Sequence, residues 1–260
     1  MIRSAILLFL AFATTLMITS AAQTAPSSPV LIELFTSEGC SSCPPADALL
    51  EQLDQSPTIP GAQLIVLSEH VDYWDHDGWK DPHSSHSLTD RQNVYADHLG
   101  LKSVYTPQMV VDGTTEFLGS NGPSAKQAIE KAHDLDLEKI PVRISAISLA
   151  NPGTVQAHVD ADAVPEAVRT RKAEVYVVIA LNHTESQVAA GENRGRHLTH
   201  VAVVQSLTKV GTVEKGKTFA QDVRVKIDPK IDHTNLRLIA FVQEPGQGKI
   251  LGAALQRVEK

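Results

Sequence analysis

From Val30 the chain reads Val-Leu-Ile-Glu-Leu-Phe-Thr-Ser-Glu-Gly-Cys40-Ser-Ser-Cys43-Pro-Pro-Ala-Asp-Ala-Leu-Leu, and these two cysteines are the only ones in it. Val30 to Phe35 is almost wholly apolar and predicts a buried strand. Thr36 to Gly39 supply a turn. Ala46, Leu49, Leu50 and Leu53 then recur at helical spacing, to about Gln55. Pro44 and Pro45 fit only the first turn of that helix, where their missing amide hydrogens would have had no partner. A strand that hands a Cys-x-x-Cys pair to a helix start is the layout of a thiol–disulfide site. Near a helix N-terminus the Cys40 thiolate is favoured, and Cys43 is placed to resolve a mixed disulfide formed at Cys40. A bridge between the two closes a very small loop and adds little chain-entropy stabilisation. Redox or metal chemistry is a better reason for the pair than structure.

The compartment matters to that reading. Arg3, the apolar stretch Ala5 to Ile18 and the small residues Ser20-Ala21-Ala22 form a three-part secretory leader, which predicts a signal peptide over residues 1–22. The apolar stretch is short for a membrane span. An exported protein, periplasmic or secreted, with no stable membrane anchor after cleavage is the expectation, in a compartment where disulfides persist. The formal net charge of −7 argues against a nucleic-acid partner, whose phosphates need Lys and Arg.

Gln63 to Ser68 reads as a second buried strand, so that strand, helix and strand suggest a parallel βαβ unit. A polar, aromatic segment follows from His70, with a helix expected over Ser87 to Leu99 and Gly100 as its stop. Two short strands flank Asp112-Gly113, a hairpin turn, and Ser124 to Leu137 reads as an amphipathic helix. A four-stranded mixed sheet with flanking helices is thus expected over residues 28–139, with an insertion at about 70–100. Beyond Ile140-Pro141 seven short valine-rich strands, among them Glu174–Ala180 and His200–Val204, predict an all-β, sandwich-like domain over 141–260.

Further residues are candidates for the site. A proline in the slot of Thr106-Pro107, before the third strand, is expected in the cis form beside the cysteines, shaping an edge for an extended substrate. An ordinary trans proline opening a strand is the other reading. His70 and Asp72 end the second strand near the cysteine edge, as proton acceptors or as loop-satisfying groups. Trp74 and Trp79 line a groove or anchor the loop. Cys40, Cys43 and His70 are also the donor types of a copper or zinc site, though the five histidines between His70 and His98 match no closed ligand spacing. Glu38 would disfavour a thiolate if turned inward, and is read as solvated. Gly191-Glu-Asn-Arg-Gly-Arg196-His-Leu-Thr-His200 contacts the first half or a partner, or forms a salt-bridged turn, and its charge favours the turn.

With these residues in hand, the chain resembles the secreted proteins of domain-of-unknown-function family 1223. The resemblance rests on Leu-Phe-Thr-Ser-Glu-Gly-Cys-Ser-Ser-Cys-Pro-Pro-Ala-Asp from Leu34 and His-Val-Asp-Tyr-Trp-Asp from His70. Gly78-Trp-Lys-Asp-Pro82, Tyr105-Thr-Pro-Gln-Met-Val-Val-Asp-Gly113 and Gly191-Glu-Asn-Arg-Gly-Arg196 extend it. It implies an α/β thioredoxin-like domain in the first half, a redox role for Cys40 and Cys43, and Pro107 as the cis-proline counterpart. Ser-Ser between the cysteines and Glu38-Gly39 before them depart from ordinary thioredoxin. The expected function is an exported thiol–disulfide oxidoreductase acting on protein or small-molecule thiols and disulfides. No cofactor beyond the Cys40–Cys43 disulfide is expected, and the second half is available to a redox partner protein. Two alternatives stand beside it: a periplasmic metal-binding or delivery protein using the same cysteines, and a non-enzymatic binding module.

Overall fold

A computed structural model describes residues 28–56, 59–134, 139–149 and 153–258; the expected signal peptide, residues 1–22, lies outside them. The first half runs β1 (Ser28–Thr36), α1 (Pro44–Gln55), β2 (Ala62–His70), α2 (His86–Leu99), β3 (Gln108–Val111), β4 (Thr115–Leu118) and α3 (Gly122–Asp134). Among the described residues the second half is strands alone, apart from one short 3-10 turn: β5 (Val142–Leu149), β6 (Thr154–Ala161), β7 (Lys172–Gln187), β8 (His197–Glu214), β9 (Phe219–Lys226), β10 (Leu236–Gln243) and β11 (Ile250–Arg257). None of the described helices is long and apolar enough to cross a membrane.

The apolar alternation of β1 sets the layers. Val30, Ile32 and Leu34 face α1 and α3, meeting Ala46, Leu50, Leu53, Ala125 and Ile129. Leu31 points the other way, with Ile65 and Leu67 of β2, and packs against Leu88 of α2 and Val178, Ile239 and Phe241 of the second half. β1 pairs in parallel with β2, which sets Thr36 opposite His70, and antiparallel with β3. The β3–β4 turn places Asp112 and Gly113 at positive φ, and a Cβ on Gly113 would lie 2.2 Å from the Gly248 carbonyl oxygen. Glycine is required there for backbone and for space.

The expected fold class, a thioredoxin-like α/β domain followed by a separate all-β sandwich, does not form. The described residues hold eleven strands and three α-helices, and one mixed eight-stranded sheet runs β11-β10-β7-β8-β2-β1-β3-β4 through both halves. The join is Ser68 of β2 opposite Val203 of β8. β2 is therefore not the free edge that a self-contained first half would have. A three-stranded sheet, β5-β6-β9, covers β7, β10 and β11 through Val155, Val159, Val177, Ile179, Leu238 and Ala240. The two segments expected at Glu174–Ala180 and His200–Val204 are parts of strands of 16 and 18 residues. Their polar flanks, such as Asn182-His183-Thr184, break the apolar pattern but still pair in the ladder between β7 and β8. Polar charge-bearing links also cross between the halves. Arg237 of β10 donates to both carboxylate oxygens of Asp54 on α1 at 2.7 and 2.9 Å, and Arg91 of α2 donates to Gln243 of β10 at 3.1 Å.

Candidate functional site

Cys40 and Cys43 are joined as a disulfide, and both residues are fully buried although Ser41 and Ser42 between them are exposed. Two consecutive turns carry the loop, with the Cys40 amide donating to Ser37 O and the Cys43 amide to Cys40 O. Cys43, rather than Cys40, occupies the N-cap position of α1, and the Asp47 amide closes the first turn on its carbonyl. Ser42 Oγ lies 3.3 Å from Cys40 Sγ.

Three walls surround this loop. The first is the loop before β3. The Thr106–Pro107 bond is cis, and Trp74 Nε1 donates to Thr106 Oγ1 at 2.7 Å. Trp74 also lies against Gly39, where an added Cβ would come within 3.0 Å of the Trp74 Cβ. Gly119 meets Pro107 on one side and Ala46 of α1 on the other, which places Pro107 beside the helix start. The second wall comes from the other half of the chain. Asn193 Nδ2 donates to the carbonyls of Glu38 and Cys40 at 2.8 and 3.0 Å, and Glu192 Oε2 accepts from the Ser41 amide at 3.1 Å. The segment read as a salt-bridged turn is thus docked on the cysteine loop.

The third wall is a buried polar cluster on the α1 side of the sheet. Glu38 is fully buried, accepts from Trp79 Nε1 at 2.8 Å, and is not the solvated residue its sequence position suggests. Asp81 Oδ2 accepts from the Glu38 amide at 2.8 Å and from His70 Nδ1 at 2.7 Å. Asp47 accepts from Thr36 Oγ1 at 2.9 Å. His200 of β8 stands between two carboxylates, with Nε2 3.7 Å from Glu38 Oε1 and Nδ1 3.7 Å from Asp47 Oδ1. Those separations exceed a hydrogen bond, and neither His200 nitrogen has another hydrogen-bond partner among the described residues.

The charges follow from this packing. Burial disfavours the His70 imidazolium, but Asp81 in contact and Asp47 and Glu38 nearby outweigh it, so its pKa rises above the ordinary 6.5. Burial also opposes the Asp81 charge, yet the His70 cation and the two donated amides hold that carboxyl well below its usual range. Burial and then the neighbouring His70 charge push His83 down to about 4.

Of the residues singled out in the sequence, the structure brings His70, Trp74, Thr106 and Pro107 around the cysteines. Asp72 is elsewhere: it accepts from Thr89 Oγ1 at 2.6 Å and from His86 at 3.1 Å, at the start of α2. Asn193, Glu192, Asp47, Asp81 and His200 escaped sequence reasoning as site residues. The only available signal for Asn193, Glu192 and His200 was the polar run from Gly191 to His200, which gives no direction. Among the described residues, no group of three or more His, Cys, Asp or Glu side chains is arranged to hold a metal ion.

The family described as "Protein of unknown function (DUF1223)" matches residues 31–243. The chain belongs to this family. No curated protein matches it significantly. Among solved structures, protein AGR_C_4864 from Agrobacterium tumefaciens is similar at 25% identity with a TM-score of 0.66, covering 90% of this chain and 96% of its own. HBP35 of Porphyromonas gingivalis is 17% identical with a TM-score of 0.68, covering 92% of this chain and 77% of its own, a likeness of fold. The DUF1223 match spans the cysteine loop, the Trp74–Trp79 segment and Asn193, so all three walls fall inside the family region.

Proposed function

We propose that this DUF1223 protein is an exported thiol–disulfide oxidoreductase that exchanges Cys40–Cys43 with protein or small-molecule thiols and disulfides. The observation that carries the reading is a disulfide at the head of α1 whose loop is enclosed by side chains from both halves of the chain. So small a loop constrains the unfolded chain little, yet the fold directs Trp74, Asn193 and Glu192 to it. Export is supported by the leader-like pattern of residues 1–22.

The exchange balances as follows. A substrate thiolate attacks Cys40 Sγ, the Cys40–Cys43 bond breaks, and its electron pair leaves on Cys43 as a thiolate. A second substrate thiol, once deprotonated, attacks the substrate sulfur of the mixed disulfide. The substrate departs oxidised, and Cys40 and Cys43 remain as a dithiol. Run backwards, the same steps reduce a substrate disulfide. The helix start favours a thiolate at Cys43, which makes it the better leaving group. Docking by Asn193 and Glu192 makes the segment around them the place where a redox partner protein would displace contacts to reach the bond.

The test is a Cys43→Ser variant expressed in an oxidising compartment. Mixed disulfides of Cys40 with other thiols are expected, visible as reductant-sensitive adducts by mass spectrometry. A complete absence of adducts across a range of glutathione ratios would remove the proposal.

A further inference from the structure

The disulfide-exchange step needs a proton taken up and released at Cys43, inside a fully buried site. Resting on the redox reading above, we propose that His83, His70 and His200 form a proton path from the surface to the cysteine loop, with Glu38 and Asp47 at its inner end.

The three imidazoles form a row. The ring centroids of His83 and His70 are 5.5 Å apart and those of His70 and His200 are 4.7 Å apart, both edge to face. The outer end opens to solvent. His83 is half-buried and lines a groove of about 270 Å³ with Pro82, Ser85, Leu88, Val204 and Ser206. There its Nε2 lies 3.5 Å from Thr184 Oγ1 of β7. The inner end is closed, with the His200 side chain 1% exposed. Its two nitrogens point at carboxylates that flank the disulfide in sequence: Glu38 precedes Cys40 by two residues, and Asp47 is one turn beyond Cys43.

Glu38, Asp47 and Asp81 are three buried carboxylates, and among the described residues none of them pairs with Lys or Arg. The basic side chains set against them are the imidazoles of His70 and His200, and Asp81 in contact with Asp47 and Glu38 nearby favours a proton on His70 against the cost of its burial. Glu38 Oε1, His70 Nε2 and both His200 nitrogens have no hydrogen-bond partner among the described residues. Such atoms are available to receive or pass a proton rather than being committed to a structural bond. When the disulfide opens, a thiolate forms at Cys43, one helical turn before Asp47 on α1, and one proton moves from the cluster to it. The vacancy is refilled through His70 from His83. His83, held low at about 4, is neutral near pH 7, so its ring offers one N–H and one lone pair through which a proton is relayed between solvent and His70. On Cys43 reoxidation the proton returns by the same route.

The histidines act through Glu38 and Asp47 and are positioning residues, so the test reads pH dependence. The rate of Cys40–Cys43 reduction by dithiothreitol would be measured from pH 5 to 9 in the intact protein, His83→Phe and His200→Gln, with thermal unfolding as the folding control. Both variants are expected to be slower at pH 7, by on the order of a hundredfold, and to have an altered pH profile. Dithiol reduction with the wild-type profile in both folded variants overturns the path and leaves the redox reading standing. A wild-type bond that no dithiol reduces in the folded protein overturns both. If a variant does not fold, nitrogen-15 NMR of the wild-type histidines decides. Ring N–H protons of His70 and His200 that exchange with solvent much faster than the core amides support the path, and ring protons protected as long as the core amides overturn it.

Discussion

His83 and Glu69 are two residues whose protonation is set by burial, with opposite consequences for stability. The folded His83 pKa is about 4, below the ordinary 6.5. The folded state resists that proton, so stability is full above about pH 6.5 and declines as pH falls toward 4. A His83→Gln variant is therefore expected to lose less stability between pH 6.5 and 4 than the wild type, read from urea midpoints. Glu69 is raised well above 4.5 by burial first and then by Glu33, although Arg91 pulls the other way. One arginine faces two glutamates there, with Arg91 bonded to Glu33 at 2.7 Å and 3.6 Å from Glu69. A raised acid favours the folded state at low pH, and that contribution is lost as pH rises through the folded value. Glu69→Gln removes this cost and is expected to raise the urea midpoint at pH 7. A lower midpoint would mean that the Glu69 charge is used by Arg91. Neither environment was legible in the sequence, since both depend on which strands and helices meet.

At the scale of elements, the segment carrying Asn193 is a strap whose grip is polar. Asn193 contributes two hydrogen bonds to the backbone of the cysteine loop. Each is worth about 0.5–1.5 kcal/mol net, so Asn193→Ala is expected to loosen the loop without unfolding the protein. The check is hydrogen exchange of the loop amides together with dithiol accessibility of Cys40–Cys43. Both should rise, and unchanged accessibility would show that the loop stays closed without Asn193. α2 is held by a polar face as much as by an apolar one. Its buried residues include Thr89, Arg91 and Gln92 as well as Leu88, Tyr95 and Ala96. Arg91, Tyr95 and Gln243 tie the helix to the strands through Glu33. The sequence predicts a helix from Ser87 to Leu99 with Gly100 as its stop, and the helix is His86–Leu99 with Gly100 left-handed. Its partner surface is not predicted, because a polar face carries no hydrophobic pattern to match.

For the whole molecule, the continuous sheet makes the two halves interdependent. Leu31, Ile65 and Leu67 are covered by Val178, Ile239 and Phe241, and Arg237 fills a buried position against Asp54. Removing the second half exposes this apolar face, frees the β2 edge and strands the Glu33–Arg91 network without Gln243. A fragment ending at residue 139 is expected to show poor amide dispersion and dye-binding apolar surface, whereas the intact chain unfolds with coincident far- and near-ultraviolet transitions. A well-dispersed, cooperatively unfolding fragment would contradict this interdependence.

Local chemistry sets what the sequence by itself determined: the β1–loop–α1 unit, the prolines in the first turn of α1, the Gly100 stop, the Asp112-Gly113 turn and the pairing potential of Cys40 with Cys43. Each is decided within a few residues by steric or hydrogen-bonding rules that act along the chain. The tertiary structure alone decided that β2 meets β8, that Asn193 and Glu192 reach the cysteine loop, and that His200 stands between Glu38 and Asp47. These contacts join residues more than 130 positions apart. The groups are polar and carry no periodic signal, and their meeting depends on how two long strands place one half of the protein against the other.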